Sequence, residues 1–284
     1  MRQRQCLELP EPTRNTGVLA GTVALLVSGA VLVSGAVAGC GERSVVDAGP
    51  PAERLHVEIV TTRPHDTDAF TQGLEVSDGE LLEGTGLSGR SYLSARTLGT
   101  GAERTRVPVP DDMFGEGITV TGDTVWQVTW KDEVAIARDR DTLAPRHLVE
   151  YDGQGWGLCA ADDRLVMSDG SSTLTFRDPD SFDALGTVTV RADGREVANL
   201  NELECAEDGS VYANVWKTDE IVRIDPDSGR VTARIDAGAL RGALTDEQRA
   251  DIDVLNGIAQ VPGTDRFLVT GKYWPTLFEV RFVP

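Results

Sequence analysis

The segment FGEGITV, Phe114–Val120, places the Glu116 carboxylate between two glycines and directly before a run of β-branched residues. β-Branched residues are typical of strands, and glycines on both sides leave the backbone open to a ligand. Taken alone, such a segment is most often a loop that enters a strand. The same design recurs along the chain, however, and this repetition predicts the fold.

Four further segments align with Phe114–Val120. In each of the five, one position precedes a Gly-Leu or Gly-Ile step, or a Glu-Leu step in the fourth segment. These first ring positions are Gln72, Glu116, Trp156, Asn201 and Asn256, and the intervals between them are 44, 40, 45 and 55 residues. Repeats of about 40–50 residues that each contain several strands are typical of a β-propeller.

A second set of equivalent positions follows from the same alignment. Each segment is followed by a turn rich in Asp and Gly and then by a second strand, which predicts a hairpin. The second strands end at Gly86, Trp130, Gly170, Trp216 and Lys272, called here the second ring positions. Because the first strand of a hairpin begins where the second strand ends, we expect all ten positions to surround one mouth of the propeller channel.

Two features outside the hairpins complete the predicted architecture. Residues 55–62 read as a strand with no hairpin partner, and we expect it to be the outer strand of the last blade, which closes the ring. A capping box from Thr245 to Gln248 predicts a short helix within residues 239–252, acting as a structural plug or as a lid over the mouth. The sequence thus predicts an all-β, five-bladed β-propeller over residues 55–284, with this helical insert before the last blade.

The first 40 residues have the pattern of a secretory signal. Arginines near the start precede an uncharged apolar run over residues 17–39, and small residues then lead to Cys40. Because small residues before a cysteine resemble the bacterial lipobox, we predict a lipoprotein-type signal over residues 1–40, lipidation of Cys40 and a polar tether over residues 41–54. An uncleaved transmembrane anchor is the alternative. Both place the rest of the chain outside the cytoplasm, on the cell membrane, or secreted if the anchor is absent.

Two cysteines remain beyond this signal. Cys159 and Cys205 lie in neighbouring first strands, three and four residues past Trp156 and Asn201. In an oxidising compartment they could form a disulfide between blades. Two buried thiols are the alternative, because equivalent positions on inner strands can lie too far apart for disulfide geometry.

The charge and the histidine content narrow the classes of function. The net charge of −19 keeps the chain soluble and, without a basic cluster, argues against binding of nucleic acid. The three histidines, His56, His65 and His147, are scattered and lie outside the ring positions. A catalytic zinc needs about three ligands at one open site. We therefore predict no catalytic metal or cofactor, while a structural cation held by backbone carbonyls in the channel stays open, and we expect a monomer.

The ring positions together suggest a chemistry. Glu116 beside the tryptophans at 130, 156 and 216 would be partly desolvated, which raises its pKa toward the range useful for acid/base catalysis. Lys272 offers a cation, and the amides of Gln72, Asn201 and Asn256 offer donors and acceptors. The sequence shows neither a Ser-His-Asp set nor a reactive cysteine. These residues suit proton shuttling on a small polar group, although core packing of the tryptophans and a structural Glu116–Lys272 ion pair are simpler explanations.

A longer string of motifs resembles a known family. In chain order it reads PHDTDAFTQGL, GTGLSGRSYL, FGEGIT, VTWK, GQGWGL, MSDGSS, NLNELE, ANVWKTDEIVRIDP, VLNGIA and VTGKYWPTLFEV, from about Pro64 to the end. The chain resembles the plant and bacterial type of glutaminyl-peptide cyclotransferase, a five-bladed propeller. The resemblance implies cyclisation of the N-terminal glutamine of a peptide to pyroglutamate, with release of ammonia.

The same resemblance implies roles for the ring residues. Glu116 aligns with the acid/base residue of the family, and Trp130, Trp156 and Trp216 align with its aromatic pocket. Its polar contacts align with Gln72, Asn201 and Lys272, and Lys272 would polarise the amide oxygen. The two cysteines that follow the GWGL and NELE motifs depart from the family pattern without touching the mouth.

Two other functions remain open at this point. A metal-dependent propeller hydrolase, such as a lactonase, would need several carboxylates and asparagines around a calcium ion, whereas the rings hold one acid and three tryptophans. A non-catalytic binding propeller on a lipid anchor would show the same aromatic residues but would not need Glu116.

Overall fold

The computed structural model describes residues 50–284, and almost all of this part is β-structure. The predicted signal, the lipidation site Cys40 and most of the tether lie outside the described residues. Within them, no helix has both the length and the apolarity needed to cross a membrane. The strands are β1 (Glu53–Pro64), β2 (Thr71–Ser77), β3 (Glu80–Thr85), β4 (Tyr92–Thr97), β5 (Glu103–Pro108), β6 (Gly115–Thr121), β7 (Thr124–Thr129), β8 (Val134–Asp139), β9 (Pro145–Glu150), β10 (Leu158–Ala160), β11 (Leu165–Ser168), β12 (Thr173–Arg177), β13 (Ala184–Thr189), β14 (Arg191–Ala192), β15 (Arg195–Glu196), β16 (Leu200–Cys205), β17 (Val211–Val215), β18 (Glu220–Asp225), β19 (Arg230–Asp236), β20 (Leu255–Gln260), β21 (Phe267–Gly271) and β22 (Thr276–Val283).

Consecutive strands form antiparallel groups of four. Strands β2–β5, β6–β9, β10–β13 and β16–β19 each pair in chain order, and β20, β21 and β22 are completed by β1. The short β14 pairs with β15 and touches β19. Each group begins with the hairpin predicted from the repeated segments.

Strand β1 closes the ring. It runs antiparallel to β22, from His56 opposite Val283 to Pro64 opposite Thr276. Its first residues also pair in parallel with β19, which joins the fourth and fifth groups into one sheet. The predicted outer strand of the last group is therefore confirmed, and it covers edges that would otherwise be exposed.

The first strands of the groups meet around a common centre. Strand β2 contacts β6, β6 contacts β10, β10 contacts β16, β16 contacts β20, and β20 contacts β2. This closed cycle of inner strands confirms the all-β propeller fold. The core lies between neighbouring sheets, where Leu82 and Leu93 of the first group pack in one cluster with Ile118 and Val125 of the second.

Glycines that follow the first ring positions permit this close approach. A Cβ atom on Gly73 would lie 2.7 Å from the backbone nitrogen of Ile118, and one on Gly117 would lie 2.6 Å from that of Leu158. In the fourth group Glu202 replaces the glycine. Its Oε1 accepts a hydrogen bond from the Leu74 backbone nitrogen (3.1 Å), and its Oε2 accepts one from Ile258 (2.7 Å). The buried Glu202 carboxylate therefore joins β16 to β2 and β20 at the centre.

The first ring positions lie in β-bulges. The pairing of β6 with β7 shifts between Gly115 and Ile118, so that Glu116 and Gly117 lie opposite one residue of β7. Equivalent shifts occur in the first, fourth and fifth hairpins, and β10 of the third begins only after the ring position. An extra residue in one strand turns side chains away from the regular alternation. This local geometry directs the side chains of Gln72, Glu116 and Asn201 toward the mouth.

The insert before the last group contains two short helices, α1 (Gly238–Gly242) and α2 (Asp246–Ala250), rather than one. The predicted capping box is confirmed at α2, where the Thr245 hydroxyl accepts from the Gln248 backbone nitrogen (3.2 Å) and the Gln248 side chain accepts from Thr245 (2.9 Å). Leu240 of α1 is fully buried in the core cluster that contains Trp274. Helix α1 therefore packs as part of the core, whereas α2 has no buried residue.

Cys159 and Cys205 form a disulfide in the structure, with their Cα atoms 5.4 Å apart. Cys159 lies in β10 and Cys205 ends β16, so the bond joins two neighbouring inner strands. The sequence left this pairing open, because the separation of inner strands at these positions was unknown.

We predict that Gly117→Ala destabilises the protein by about 1–3 kcal/mol, because the added methyl group meets the backbone of the neighbouring strand and not a movable side chain. Gly186→Ala in β13 is the matched control, since nothing lies within 4 Å of its Cβ position. The control should change the free energy of unfolding, measured by urea denaturation, by less than about 1 kcal/mol. Equal effects of the two substitutions would contradict the close approach of inner strands.

Candidate active site

A cavity of about 370 Å³ lies at the mouth where the first strands begin. Seven predicted ring residues line it, from four first strands and three second strands. The lining consists of Phe70, Gln72, Phe114, Glu116, Trp130, Trp156, Asn201, Trp216, Lys217, Asp253, Val254 and Lys272. The alignment of repeats therefore brought together residues that lie up to 200 positions apart in sequence.

Glu116 is the buried carboxylate of this cavity and is only 4% exposed. Burial raises the pKa of the Glu116 carboxyl well above its usual range, and the positive charge of Lys272 partly opposes this rise. One hydrogen bond reaches the carboxylate, from Gln72 Nε2 to Glu116 Oε1 at 3.0 Å. A buried acid of raised pKa is a stronger base in its ionised form than an ordinary carboxylate, which suits proton transfer.

Gln72 is held in this orientation by Asn256. The Asn256 Nδ2 group donates to Gln72 Oε1 at 3.2 Å and to the Thr71 carbonyl at 3.0 Å. Because the Gln72 oxygen accepts from Asn256, its nitrogen faces Glu116.

Asn256 is placed differently from the other residues predicted to contact the substrate. Asn256 is fully buried and is not part of the cavity lining. Its side chain lies behind Gln72, to which its amide donates, and whether it contacts the substrate stays a prediction.

Lys272 is the buried cation of the cavity, at 5% exposure. Burial lowers the pKa of the Lys272 ammonium, and the negative charges of Glu116 and Asp253 partly offset this decrease. The ammonium lies 4.4 Å from the centre of the Phe70 ring, a cation–π contact. No direct ion pair joins Lys272 to Glu116 among the described residues, so the two charges face the cavity separately.

Aromatic rings form the walls between the charged groups. Trp156 and Trp216 meet edge to face, with ring centres 5.3 Å apart, and Trp130 packs against Phe114 at 5.5 Å. The indole nitrogens of Trp130 and Trp156 both donate to Gln154 Oε1, at 2.9 and 3.1 Å. Gln154 thereby fixes the relative orientation of two walls.

Two second ring positions are glycines because aromatic rings occupy the space beside them. A Cβ atom on Gly86 would collide with the Phe114 ring, and one on Gly170 would lie 2.6 Å from the Trp156 ring. Gly170 also has a φ of +81°, which favours glycine. These positions shape the cavity without contributing side chains to it.

Asn201 contributes an unpaired acceptor. The residue lines the cavity and is 2% exposed, yet its Oδ1 has no hydrogen-bond partner in the described part of the chain. A buried polar atom without a partner is costly, so a donor on a ligand would be favoured here. Asn201 therefore suits recognition of an N–H group.

The sequence prediction missed five lining residues. Phe70 and Phe114 lie two positions before Gln72 and Glu116, so the alignment of repeats contained a signal for them. Lys217 directly follows Trp216. Asp253 and Val254 follow the helical insert, where no repeat signal exists. In residues 50–284 no group of three or more His, Cys, Asp or Glu side chains is arranged to hold a metal ion.

Comparison with known proteins identifies the family of this chain. The family model described as glutamine cyclotransferase matches residues 31–282. A curated relative from Arabidopsis thaliana, named glutaminyl-peptide cyclotransferase, is 38% identical over 227 residues, which are 79% of this chain and 71% of the relative. The crystal structure of Myxococcus xanthus glutaminyl cyclase is similar with a TM-score of 0.74 and 37% identity, over 82% of this chain and 98% of the other. The chain therefore belongs to the glutamine cyclotransferase family.

Proposed function

We propose that this protein cyclises the N-terminal glutamine of peptides and proteins to pyroglutamate and releases ammonia, with Glu116 as its single acid/base residue. The observation that carries the proposal is a buried carboxyl group of raised pKa, in an aromatic cavity, next to a lysine with which it forms no direct ion pair. The names of the two relatives support the same reaction.

The reaction needs two proton transfers. The α-amine nitrogen attacks the side-chain amide carbon, a carbon–nitrogen bond forms, and negative charge develops on the amide oxygen. The bond from this carbon to the original amide nitrogen then breaks. One proton must leave the attacking amine and one must reach the departing nitrogen, so that ammonia leaves as a neutral molecule.

Glu116 can make both transfers in turn. Its carboxylate accepts the proton from the attacking amine, and the resulting acid donates a proton to the leaving nitrogen. A carboxyl group of ordinary pKa would be a weak base for the first step, whereas burial moves Glu116 toward the pKa that acid/base catalysis favours. Gln72, which Asn256 holds in place, keeps the carboxylate oriented toward the cavity.

The other lining groups bind the substrate and stabilise the charge that develops during the reaction. The Lys272 ammonium stabilises negative charge that develops on the amide oxygen. The free Oδ1 of Asn201 accepts a hydrogen bond from a substrate N–H group. The aromatic walls hold the folded-back conformer in which the amine and the amide carbon are close, which reduces the entropic cost of cyclisation.

We further propose that the chemistry needs no metal, since one carboxyl group performs both transfers. The protein would act as a monomer outside the cytoplasm, anchored to the membrane through lipidated Cys40. The signal pattern of residues 1–40 supports this location. The Cys159–Cys205 disulfide also supports it, because disulfides persist in oxidising compartments.

Glu116→Gln should lower the rate of cyclisation about 10²–10⁴-fold, the usual contribution of a general acid/base residue. The assay follows ammonia release from a short peptide that begins with glutamine, together with the mass decrease of about 17 Da expected when cyclisation eliminates ammonia. Glu247→Gln on the exposed face of α2 is the control and should leave the rate unchanged. Full activity of correctly folded Glu116→Gln would overturn the assigned role.

Substitution of Lys272 should shift the pH dependence of kcat/KM. The base form of Glu116 is required, so kcat/KM falls as pH drops through the pKa of this carboxyl group. The charge of Lys272 lowers that pKa. Lys272→Met should therefore move the acidic limb of the pH–rate profile to higher pH, whereas Lys272→Arg should move it less. A limb that stays in place, or moves to lower pH, would show that Lys272 does not act on Glu116.

Trp216→Ala should raise KM about 2–10-fold and also lower kcat, because it removes one partner of the edge-to-face pair with Trp156 and opens the wall of the cavity. Trp216→Phe retains an aromatic wall and should lose less. Steady-state kinetics with the same peptide provides both constants. An unchanged KM in Trp216→Ala would remove Trp216 from the substrate pocket.

A further inference from the structure

Lysine is confined to the mouth of the propeller. Of the 27 lysine and arginine residues in the sequence, only Lys131, Lys217 and Lys272 are lysines. Lys272 occupies a second ring position, and the other two directly follow the ring tryptophans Trp130 and Trp216. Everywhere else the chain uses arginine, so the mouth differs chemically from the rest of the surface.

Each of the three ammonium groups lies over an aromatic ring. Lys131 Nζ is 3.9 Å from the centre of the Trp130 ring, and Lys217 Nζ is 4.2 Å from that of Trp216. Contacts of this kind hold a lysine side chain in a defined place at an exposed site while its charge stays in solvent.

No carboxylate of the described residues forms an ion pair with Lys131 or Lys217, called here the rim lysines. Ion pairs in this part of the chain are formed by arginines or by His65. The acids nearest in sequence have other partners. Asp132 accepts a hydrogen bond from the Phe114 backbone nitrogen at 3.0 Å, and Asp219 pairs with Arg241 at 3.1 Å. The Lys131 and Lys217 charges therefore remain available to a ligand.

The depth of the lysines sets which part of a peptide each can reach. Lys272 is buried beside the acid, whereas Lys217 lines the same cavity and is exposed. If the N-terminal glutamine occupies the deep part near Glu116, the rest of the peptide must leave through the opening. The second and third residues of the substrate then pass the rim where Lys217 lies.

We propose that Lys217, assisted by Lys131, forms a subsite for a carboxylate on the residues that follow the N-terminal glutamine. This inference rests on the proposed cyclotransferase function and adds its preferred substrate class, peptides with an acidic second or third residue. The net charge of −19 repels such peptides over a distance. A preference for them therefore requires local cations of the kind found at this rim.

Asp253 is the charged lining residue that opposes this preference. It is exposed, and its Oδ1 accepts a hydrogen bond from the Val254 backbone nitrogen at 2.7 Å. Its charge faces the same opening. Removing the charge of Asp253 should therefore strengthen the preference for acidic peptides, whereas removing that of Lys217 should weaken it.

The test compares two peptide amides that differ in one group, Gln-Glu-Ala amide and its neutral counterpart Gln-Gln-Ala amide. The measured quantity is the ratio of their kcat/KM values at low salt. We expect the wild-type ratio to favour the acidic peptide by about 2–5-fold, the size typical of exposed charge pairs. The ratio should approach 1 as the salt concentration rises, because exposed charges are screened.

Four variants and one control locate the effect. Lys217→Gln should lower the ratio, the double substitution with Lys131→Gln should bring it to 1 or below, and Lys217→Arg should retain most of it. Asp253→Asn should raise the ratio. Arg195→Gln removes an exposed cation that lies outside the cavity lining and should leave the ratio unchanged.

A second pair of substrates distinguishes a side-chain carboxylate from the carboxylate at the C-terminus of the peptide. Gln-Ala with a free carboxyl terminus is compared with Gln-Ala amide. A preference for the free acid that depends on Lys217 would place the subsite at the second residue and its terminal carboxylate. A preference seen only with Gln-Glu-Ala amide would place it at a side chain.

The outcomes distinguish the two proposals. A wild-type ratio of 1 or less, or a ratio above 1 that survives the double substitution, would overturn the subsite while leaving the cyclotransferase intact. Failure of the folded protein to cyclise any of the four peptides would overturn the cyclotransferase itself, and the subsite with it.

Discussion

The close approach of the inner strands around one centre is the constraint on which the rest of the molecule depends. Strands can approach this closely only where side chains are absent, which is why glycines follow most first ring positions. Glu202 stands in one of these places and uses its carboxylate to accept backbone hydrogen bonds from two other strands. The bulges needed for this packing turn Gln72 and Glu116 toward the mouth. The same geometry therefore closes the ring and builds the site.

The chemistry follows from the balance between desolvation and attraction. Burial alone would neutralise both Glu116 and Lys272, because the charged form of each loses its hydration. Each charge partly stabilises the ionised form of the other, and among the described residues no direct ion pair joins them. The amides of Gln72 and Asn256 add orientation without adding charge. Because the two charges remain responsive to a ligand, the arrangement suits proton transfer better than structural support.

Much of the site could be predicted from sequence because a propeller repeats one supersecondary unit. Alignment of the repeats placed Glu116, Trp156 and Lys272 at one mouth, and the structure gathers them in one cavity. The same alignment assigned Asn256 to the substrate, since a repeat pattern cannot show whether a bulge leaves a side chain in the lining or behind it. Asp253 lies outside any repeat signal. The pairing of Cys159 with Cys205 depended on a distance between strands that only coordinates provide.

The most direct test of the role of Glu116 is a crystal structure of Glu116→Gln with an uncyclised peptide that begins with glutamine. We predict that the α-amine and the side-chain amide of the peptide lie within hydrogen-bond reach of residue 116, about 2.6–3.2 Å, with the amide oxygen toward Lys272 and the tryptophans around the glutamine. A peptide bound with its amine remote from residue 116, or bound outside this cavity, would contradict the claim that Glu116 moves both protons.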